Sequence, residues 1–234
     1  MKIAEVRAAL PQRHIEYYES IDSTMHAASK LETGAVVFAG EQTSGQGRHG
    51  HVWHSEARNG LYCSLVLQPA PVLTLALGLA AAEAIAGTYG IACDLRWPND
   101  LMLDGLKTGG ILVQLVDGKA VAGIGINVNH ESLPQELGAT SLRIHLGREL
   151  PREALAIALV RAVDSFAAED KETILRLFAH ASSYAAGRRV TVALPEGSIE
   201  GTTAGLDADG FLKVRRDDGS IALILAGGVR AAGS

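Results

Sequence analysis

Apolar positions change period several times along these 234 residues, and each change marks an element. Asp22-Ser23-Thr24 offers a helix N-cap and Gly34 a C-cap, which predicts a helix over 25–32. Ala35-Val36-Val37-Phe38-Ala39 is a continuous apolar run of strand length, and Leu61 to Leu67 alternates as a strand does. Between them, Glu41 to Asn59 keeps no period and carries Gly45, Gly47 and Gly50 near its centre. That predicts a long loop, and long loops in compact proteins are usually functional or disordered. Thr74 to Tyr89 reads as helix. The greasiest stretch, Pro71 to Ala86, is short for a bilayer, rich in Ala and Gly, and carries Glu83, so it predicts a buried core helix and no membrane span.

A meander follows. Asp94-Leu95-Arg96-Trp97 is extended and stops at Pro98; Leu101-Met102-Leu103 turns back through Asp104-Gly105, a strong two-residue hairpin signal. Ile111 to Val116 leads to a second such turn at Asp117-Gly118, and Ala120 to Asn127 completes the group. Lys107 thus leaves a tight turn at the start of a strand, where its backbone is well fixed. Pro151 opens a helix with Leu155, Leu159, Val163 and Phe166 on one face; Ile174, Leu175, Leu177 and Phe178 mark another. From Gly187 the texture is all-β: strands at 190–194, 199–206, 211–215 and 221–225 alternate with turns at Pro195-Glu196-Gly197, Asp209-Gly210 and Asp218-Gly219. The expected division is therefore a main domain over 1–186 and a small β-barrel over 187–234.

Composition narrows the classes. With 47% apolar and 20% charged residues the chain is an ordinary globular protein, and a net charge of −5 argues against non-specific coating of nucleic acid. Cys63 and Cys93 form no CxxC pair and read as reduced, half-buried thiols. Met1 to Arg7 lacks the apolar run of a signal peptide, so a cytoplasmic protein is expected.

Several motifs invite chemistry. Gly45-Gln46-Gly47-Arg48-His49-Gly50 spells G-x-G-x-x-G, but a dinucleotide fold needs a helix directly after it, and Trp53 to Gly60 is turn-like and leads into a strand. Lys107-Thr108 imitates the end of a P-loop, yet Leu106 stands where that motif needs Gly. His49, His51 and His54 lack the carboxylate or Cys of a usual metal set and read as surface groups or phosphate contacts. Asp100 is either a turn cap or a lone Mg²⁺ ligand beside a triphosphate. Glycines at alternate positions in Gly123-Ile124-Gly125-Ile126-Asn127-Val128-Asn129 mean that a ligand or another backbone lies against that face.

Five blocks in order resemble biotin protein ligases: Asp22-Ser23-Thr24; Glu41 to Gly50 with Trp53, Ser55 and Leu61-Tyr62-Cys63-Ser64; Arg96-Trp97-Pro98-Asn99-Asp100; Lys107 with Gly110-Ile111-Leu112; and Gly123 to Asn129. The resemblance covers nearly the whole chain. It implies an α+β catalytic domain with a mixed sheet, of the class II synthetase-like biotin/lipoate ligase type, followed by an SH3-like barrel. It implies an AMP-forming ligase: biotin and ATP give biotinyl-5′-AMP, and the biotinyl group then passes to a Lys of a biotin carboxyl carrier protein, a subunit of acetyl-CoA carboxylase. Mg²⁺ would accompany ATP.

By the same resemblance Lys107 and Arg48 would be catalytic. Ser23, Thr24, Gln42, Gln46, Gly47, Arg48, Lys107, Gly123 and Gly125 would bind biotin. Arg48, Trp53, Asn99, Lys107 and Asn127 would bind ATP or the adenylate, and Asp100 would hold Mg²⁺ or face the incoming Lys. Gln46, His49 and His51 depart from the family loop, replacing arginines and putting the tightness of adenylate retention in doubt. The chain begins about where the catalytic part of the family begins, which implies the single-function type with no DNA partner. A homodimer through an exposed strand edge, with 120–129 as candidate, is a further expectation. Rival readings are a lipoate or octanoate ligase, a non-catalytic biotin binder, and a nicotinamide-dependent oxidoreductase resting on the glycine loop alone.

Overall fold

The computed structural model describes residues 1–194 and 197–232, and of His49 the backbone alone. Seven strands form one mixed sheet: β1 (Ile15–Tyr18), β2 (Val36–Ala39), β3 (Gly60–Leu67), β4 (Asp94–Arg96), β5 (Asp100–Leu103), β6 (Leu106–Val116) and β7 (Lys119–Asn127). Their order is β1-β2-β3-β7-β6-β5-β4, parallel between β1 and β2 and antiparallel elsewhere. The helices are α1 (Ile3–Ala9), α2 (Thr24–Ala28), α3 (Leu73–Tyr89), α4 (Leu142–Leu146), α5 (Arg152–Ala167) and α6 (Lys171–Ala181). The fold class expected from the sequence is the one observed.

Alternation along the strands sorts the two faces of the sheet. Leu61, Cys63, Leu65, Ile124 and Ile126 join the main core with α3, α5 and α6. Val37, Val66 and Val121 face the other way and pack with Met25 and Ala28 of α2 in a smaller cluster. Gly123 and Gly125 alternate with Ile124 and Ile126, so the glycine face of β7 is the face turned away from the large helices. Helix α3 is buried along most of its length, with Glu83 exposed, and among the described residues no helix is long and apolar enough to cross a membrane.

Helix α2 spans five residues, shorter than the sequence predicts. Ser29 Oγ donates back to the His26 carbonyl, and Lys30 N and Leu31 N bond three residues back in a tightening turn. A serine that satisfies the preceding turn in this way competes with helix continuation. The strand over 120–129 is not an edge. β7 is hydrogen-bonded to β3 on one side and β6 on the other, so it offers no free backbone for a dimer. The sheet ends at β1 and β4.

A second, five-stranded antiparallel sheet contains β8 (Ala186–Leu194), β9 (Gly197–Leu206), β10 (Leu212–Arg215), β11 (Ile221–Ile224) and β12 (Gly228–Ala231), ordered β11-β10-β9-β8-β12. β12 is a strand that the sequence pattern does not announce. Pro195 and Glu196 of the expected turn lie outside the described residues. The two sheets share one hydrophobic cluster, which includes Val190, Val192, Leu212 and Val214. Trp97, 3% exposed, donates from Nε1 to the Gly210 carbonyl at 2.9 Å. A Cβ on Gly210 would lie 2.8 Å from Val72, so only glycine lets this turn seat against α3.

His130 follows β7 and is buried beside Tyr62, with 3.5 Å between Nε2 and the phenol oxygen. Burial holds its imidazole below the usual pKa, against a smaller opposing pull from Glu56. Between that lowered value and the unfolded value near 6.5 the unfolded chain binds more protons, so stability is whole above about pH 6.5 and declines as pH falls. Denaturant unfolding at pH 7.5 and 5.5 should show this decline in wild type and a smaller one in His130→Gln; equal declines would remove His130 as the cause.

Candidate active site

A cavity of about 580 Å³ opens on the glycine face of the sheet, within the range typical of small-molecule sites. Its two halves follow the strand register. Gly123 stands between Ser64 and Leu112, and two residues on, about 7 Å along the strand, Gly125 stands between Tyr62 and Gly110, with Asp100 beyond.

The first half is neutral and hydrogen-bonding. Thr24 donates from N (2.8 Å) and Oγ1 (3.0 Å) to Gln42 Oε1, and Gln42 Nε2 donates to Ser55 Oγ at 2.9 Å. Thr24 Oγ1 also lies 2.8 Å from Ser64 Oγ. Ser23 caps α2 by backbone conformation only; its hydroxyl is buried and has no partner among the described residues. Met25 closes this end: a Cβ on Gly123 would come 2.7 Å from its Sδ.

The second half is cationic. Arg48, Arg96 and Lys107 gather there around Asp100, and Arg230 also lines the cavity. Asp100 Oδ2 accepts from Arg96 Nη2 at 2.7 Å, and Oδ1 lies 2.5 Å from Lys107 Nζ. Lys107 also stands 5.5 Å from the centre of the Trp53 ring, within cation–π reach. Trp53 lies flat on the glycines: a Cβ on Gly125 would sit 2.5 Å from its Cε2. Its indole N–H is buried without a partner among the described residues. Orphaned donors of this kind next to a cavity are what a polar ligand would satisfy.

The glycine-rich loop is stitched over the pocket. Gly47 N donates to the His51 carbonyl at 2.7 Å and Trp53 N to the Gly45 carbonyl at 2.9 Å. A Cβ on Gly45 would lie 2.5 Å from the Trp53 carbonyl, so this glycine permits the close approach of the two sides of the loop. Arg48 Nη1 donates to Asn99 Oδ1 at 3.0 Å and to the Gly227 carbonyl at 3.5 Å. Burial holds its pKa below the ordinary value, while Asp100 pulls it up. An anion placed beside Arg48 would relieve that burial cost.

Of the residues singled out in the sequence, Thr24, Gln42, Gln46, Gly47, Arg48, Trp53, Asn99, Asp100, Lys107, Gly123 and Gly125 meet at this cavity. Ser23 adjoins it. Asn127 does not line it: its amide donates to the Thr140 carbonyl at 3.1 Å. His51 lines the pocket, His54 is exposed, and the His49 side chain lies outside the described residues. Arg96 and Gly110 belong to the resembling blocks but had no site role assigned to them, and residues outside those blocks include Met25 and a wall from the second sheet comprising Ala193, Leu194 and 226–230. The Ala226-Gly227-Gly228 run was the available signal for that wall.

Among the described residues no three His, Cys, Asp or Glu side chains gather to hold a metal. Asp100, expected as a Mg²⁺ ligand, has both oxygens engaged by cations, so the residues present do not form a protein-built Mg²⁺ site. A magnesium ion would have to be carried by a triphosphate.

The arrangement suits an enzyme that brings a neutral-headed acid to a nucleotide. The profile described as Biotin/lipoate A/B protein ligase family matches residues 17–131, and that described as Biotin protein ligase C terminal domain matches 186–229. The chain is 31% identical over 230 residues to the bifunctional ligase/repressor BirA of Bacillus spizizenii, covering 88% of this chain and 71% of that one. It is 32% identical over 206 residues to the biotin--[acetyl-CoA-carboxylase] ligase of Mycobacterium tuberculosis, covering 82% and 77%. The structure of the biotin protein ligase from Aquifex aeolicus in complex with biotin and ATP matches with a TM-score of 0.84 at 29% identity, over 94% of this chain and 99% of that one. This chain belongs to the biotin protein ligase family.

Proposed function

We propose that this enzyme activates biotin with ATP and passes the biotinyl group to a Lys of a biotin carboxyl carrier protein. The observation that carries the proposal is the division of one cavity into a neutral amide-and-hydroxyl half and a cationic half. The ureido head of biotin offers donors and acceptors that match Thr24, Gln42 and the orphaned Ser23 hydroxyl. The dithiolane of lipoate and the tail of octanoate offer none, which ranks those substrates lower.

In the first step a biotin carboxylate oxygen attacks the α-phosphorus and pyrophosphate leaves. Two anions must approach, and Lys107 and Arg48 neutralise them. Trp53 and the stitched loop exclude water from the resulting mixed anhydride. In the second step the acceptor amine attacks the acyl carbon, AMP departs and the amine loses a proton.

Incubation with biotin and ATP–Mg²⁺ followed by mass spectrometry tests the reading. Biotinyl-5′-AMP is expected. Biotin binding without adenylate would leave a binder only, and turnover of lipoate or octanoate alone would move the substrate.

Two finer expectations belong to the same proposal. With Gln46, His49 and His51 in place of loop arginines, adenylate should escape faster than from a variant with arginine restored at those positions; stopped-flow release rates that do not differ would reject this. A net charge of −5 fits a ligase without a DNA partner, and sequence-specific duplex binding at physiological salt would reject that.

A further inference from the structure

The cavity stops at Met25, and the face of the sheet beneath it does not. Val37, Ser64, Gly123 and Leu112 form one row across β2, β3, β7 and β6. Two residues further along β3 and β7, on the same face, stand Val66 and Val121, paired with each other. Gly123 and Leu112 line the cavity; Val66 and Val121 do not. An apolar floor thus continues past the neutral half of the pocket, under cover.

Met25 is that cover. It follows Thr24 in the first turn of α2 and is 6% exposed. Thr24 turns its hydroxyl to Gln42 and Ser64. The Met25 thioether lies instead over the Gly123 backbone: a Cβ there would come 2.7 Å from Sδ and 3.1 Å from Cγ, with Ser64 Oγ at 3.6 Å. Behind it Met25 packs with Ala28, Ala35, Val37, Val66 and Val121. Leu31 and Val116 pack against the same cluster, and Lys119 Nζ ties down the Leu31 carbonyl at 2.7 Å. A side chain backed by packed core resists being pushed away from the cavity. Adjacent residues of one short helix therefore carry a polar contact and the apolar end wall.

We propose that Met25 is the specificity-determining residue at the closed end of the neutral half, where it excludes acids whose head group is larger than that of biotin by an alkyl group. This rests on the reading of that half as the seat of the ureido head. Thr24 and Gln42 select for polar atoms, and Met25 selects for length. Truncation to alanine removes Cγ, Sδ and Cε and opens a space over Val66 and Val121. Apolar cavities of that kind stay dry and accept apolar groups.

The test measures adenylate formation from biotin and from two biotins bearing n-propyl on one or the other ureido nitrogen, a group whose length matches the atoms removed. Wild type, Met25→Ala and Met25→Leu are compared. Each extended acid lacks the same N–H before every variant, so the comparison between variants isolates the fit at Met25. In wild type, kcat/KM should be at least about 100-fold lower for both extended acids than for biotin. Met25→Ala should raise the ratio of extended acid to biotin by about tenfold or more for at least one of the two. Met25→Leu, which keeps the volume, should leave that ratio within about threefold of wild type. A purely structural role would lower the rate with every acid together and leave the ratio unmoved. Ratios unchanged by Met25→Ala for both extended acids, or a wild type that uses either as readily as biotin, would overturn the proposal. If Met25→Ala does not fold, Met25→Val makes the same comparison, and no rise in either ratio would count against the proposal. Should wild type activate octanoate and not biotin, the substrate reading fails on its own. Undecanoate against octanoate then decides the role of Met25: a rise in that ratio in Met25→Ala sustains it, and no rise overturns it.

Discussion

Lys107→Ala should lower the rate of adenylate formation by about 10²–10³-fold, roughly 3–4 kcal/mol, the usual loss for one preorganised group at a developing charge. Arg48, Arg96 and Lys107 gather around Asp100 in this half of the cavity, but they are not equivalent. Arg96 is committed to Asp100 through two nitrogens, and Arg48 reaches in from the loop with Asn99 and Gly227 as partners. Lys107 alone rises from the middle strands of the sheet, bracketed at its backbone and held against Asp100 and Trp53. Its loss also takes the direct cationic partner from Asp100 Oδ1, so a less neutralised carboxylate then faces an incoming carboxylate and triphosphate. Biotin binding should suffer less than turnover, since the neutral half of the cavity is untouched. Pyrophosphate release at saturating substrates, beside titration of biotin, separates the two. A variant with wild-type turnover would remove Lys107 from the chemistry.

Features that depend on near neighbours were legible in the sequence. Asp104-Gly105 and Asp117-Gly118 take the left-handed φ values expected of two-residue hairpin turns, 50° and 80°, and 49° and 75°. The alternating glycines of β7 predict a ligand or another backbone against that face; the structure places two side chains there. What approaches them, Met25 and Trp53, comes from elements about a hundred and about seventy residues away in sequence, and no local pattern names such partners. The strand over 120–129 looked like an edge candidate because edge or centre is a property of pairing order, which is non-local. β12 is four residues long and begins at the glycine pair 227–228, so it had no alternation to read, and with it went the wall that the second sheet gives the pocket. Asn127 sits in a motif whose resemblance points to the adenylate, and its side-chain amide donates to the Thr140 carbonyl, a partner that no local pattern names.

The same change at the two glycines of β7 should have unequal effects. On Gly123, an added methyl meets Met25 Sδ at 2.7 Å, the far part of an unbranched side chain that can turn aside. Gly123→Ala should raise KM for biotin by less than about tenfold, because the displaced Met25 trims the neutral end. On Gly125, the methyl meets three atoms of the Trp53 indole at 2.5–2.8 Å. A fused ring cannot bend away, and its other edge already lies against Gly110, whose own Cβ would be 3.4 Å from Cζ3. The ring must lift as a unit, taking the end of the stitched loop and the cation–π partner of Lys107 with it. A displacement of about 1 Å at a site of this kind can cost about 100-fold. Gly125→Ala should therefore lower kcat for adenylate formation by about that factor, with both substrates still able to bind. Steady-state constants for biotin and ATP in the two variants measure the contrast. Equal effects at the two positions would mean that Trp53 yields as easily as Met25, and that the indole is packing against the strand without organising the cationic half.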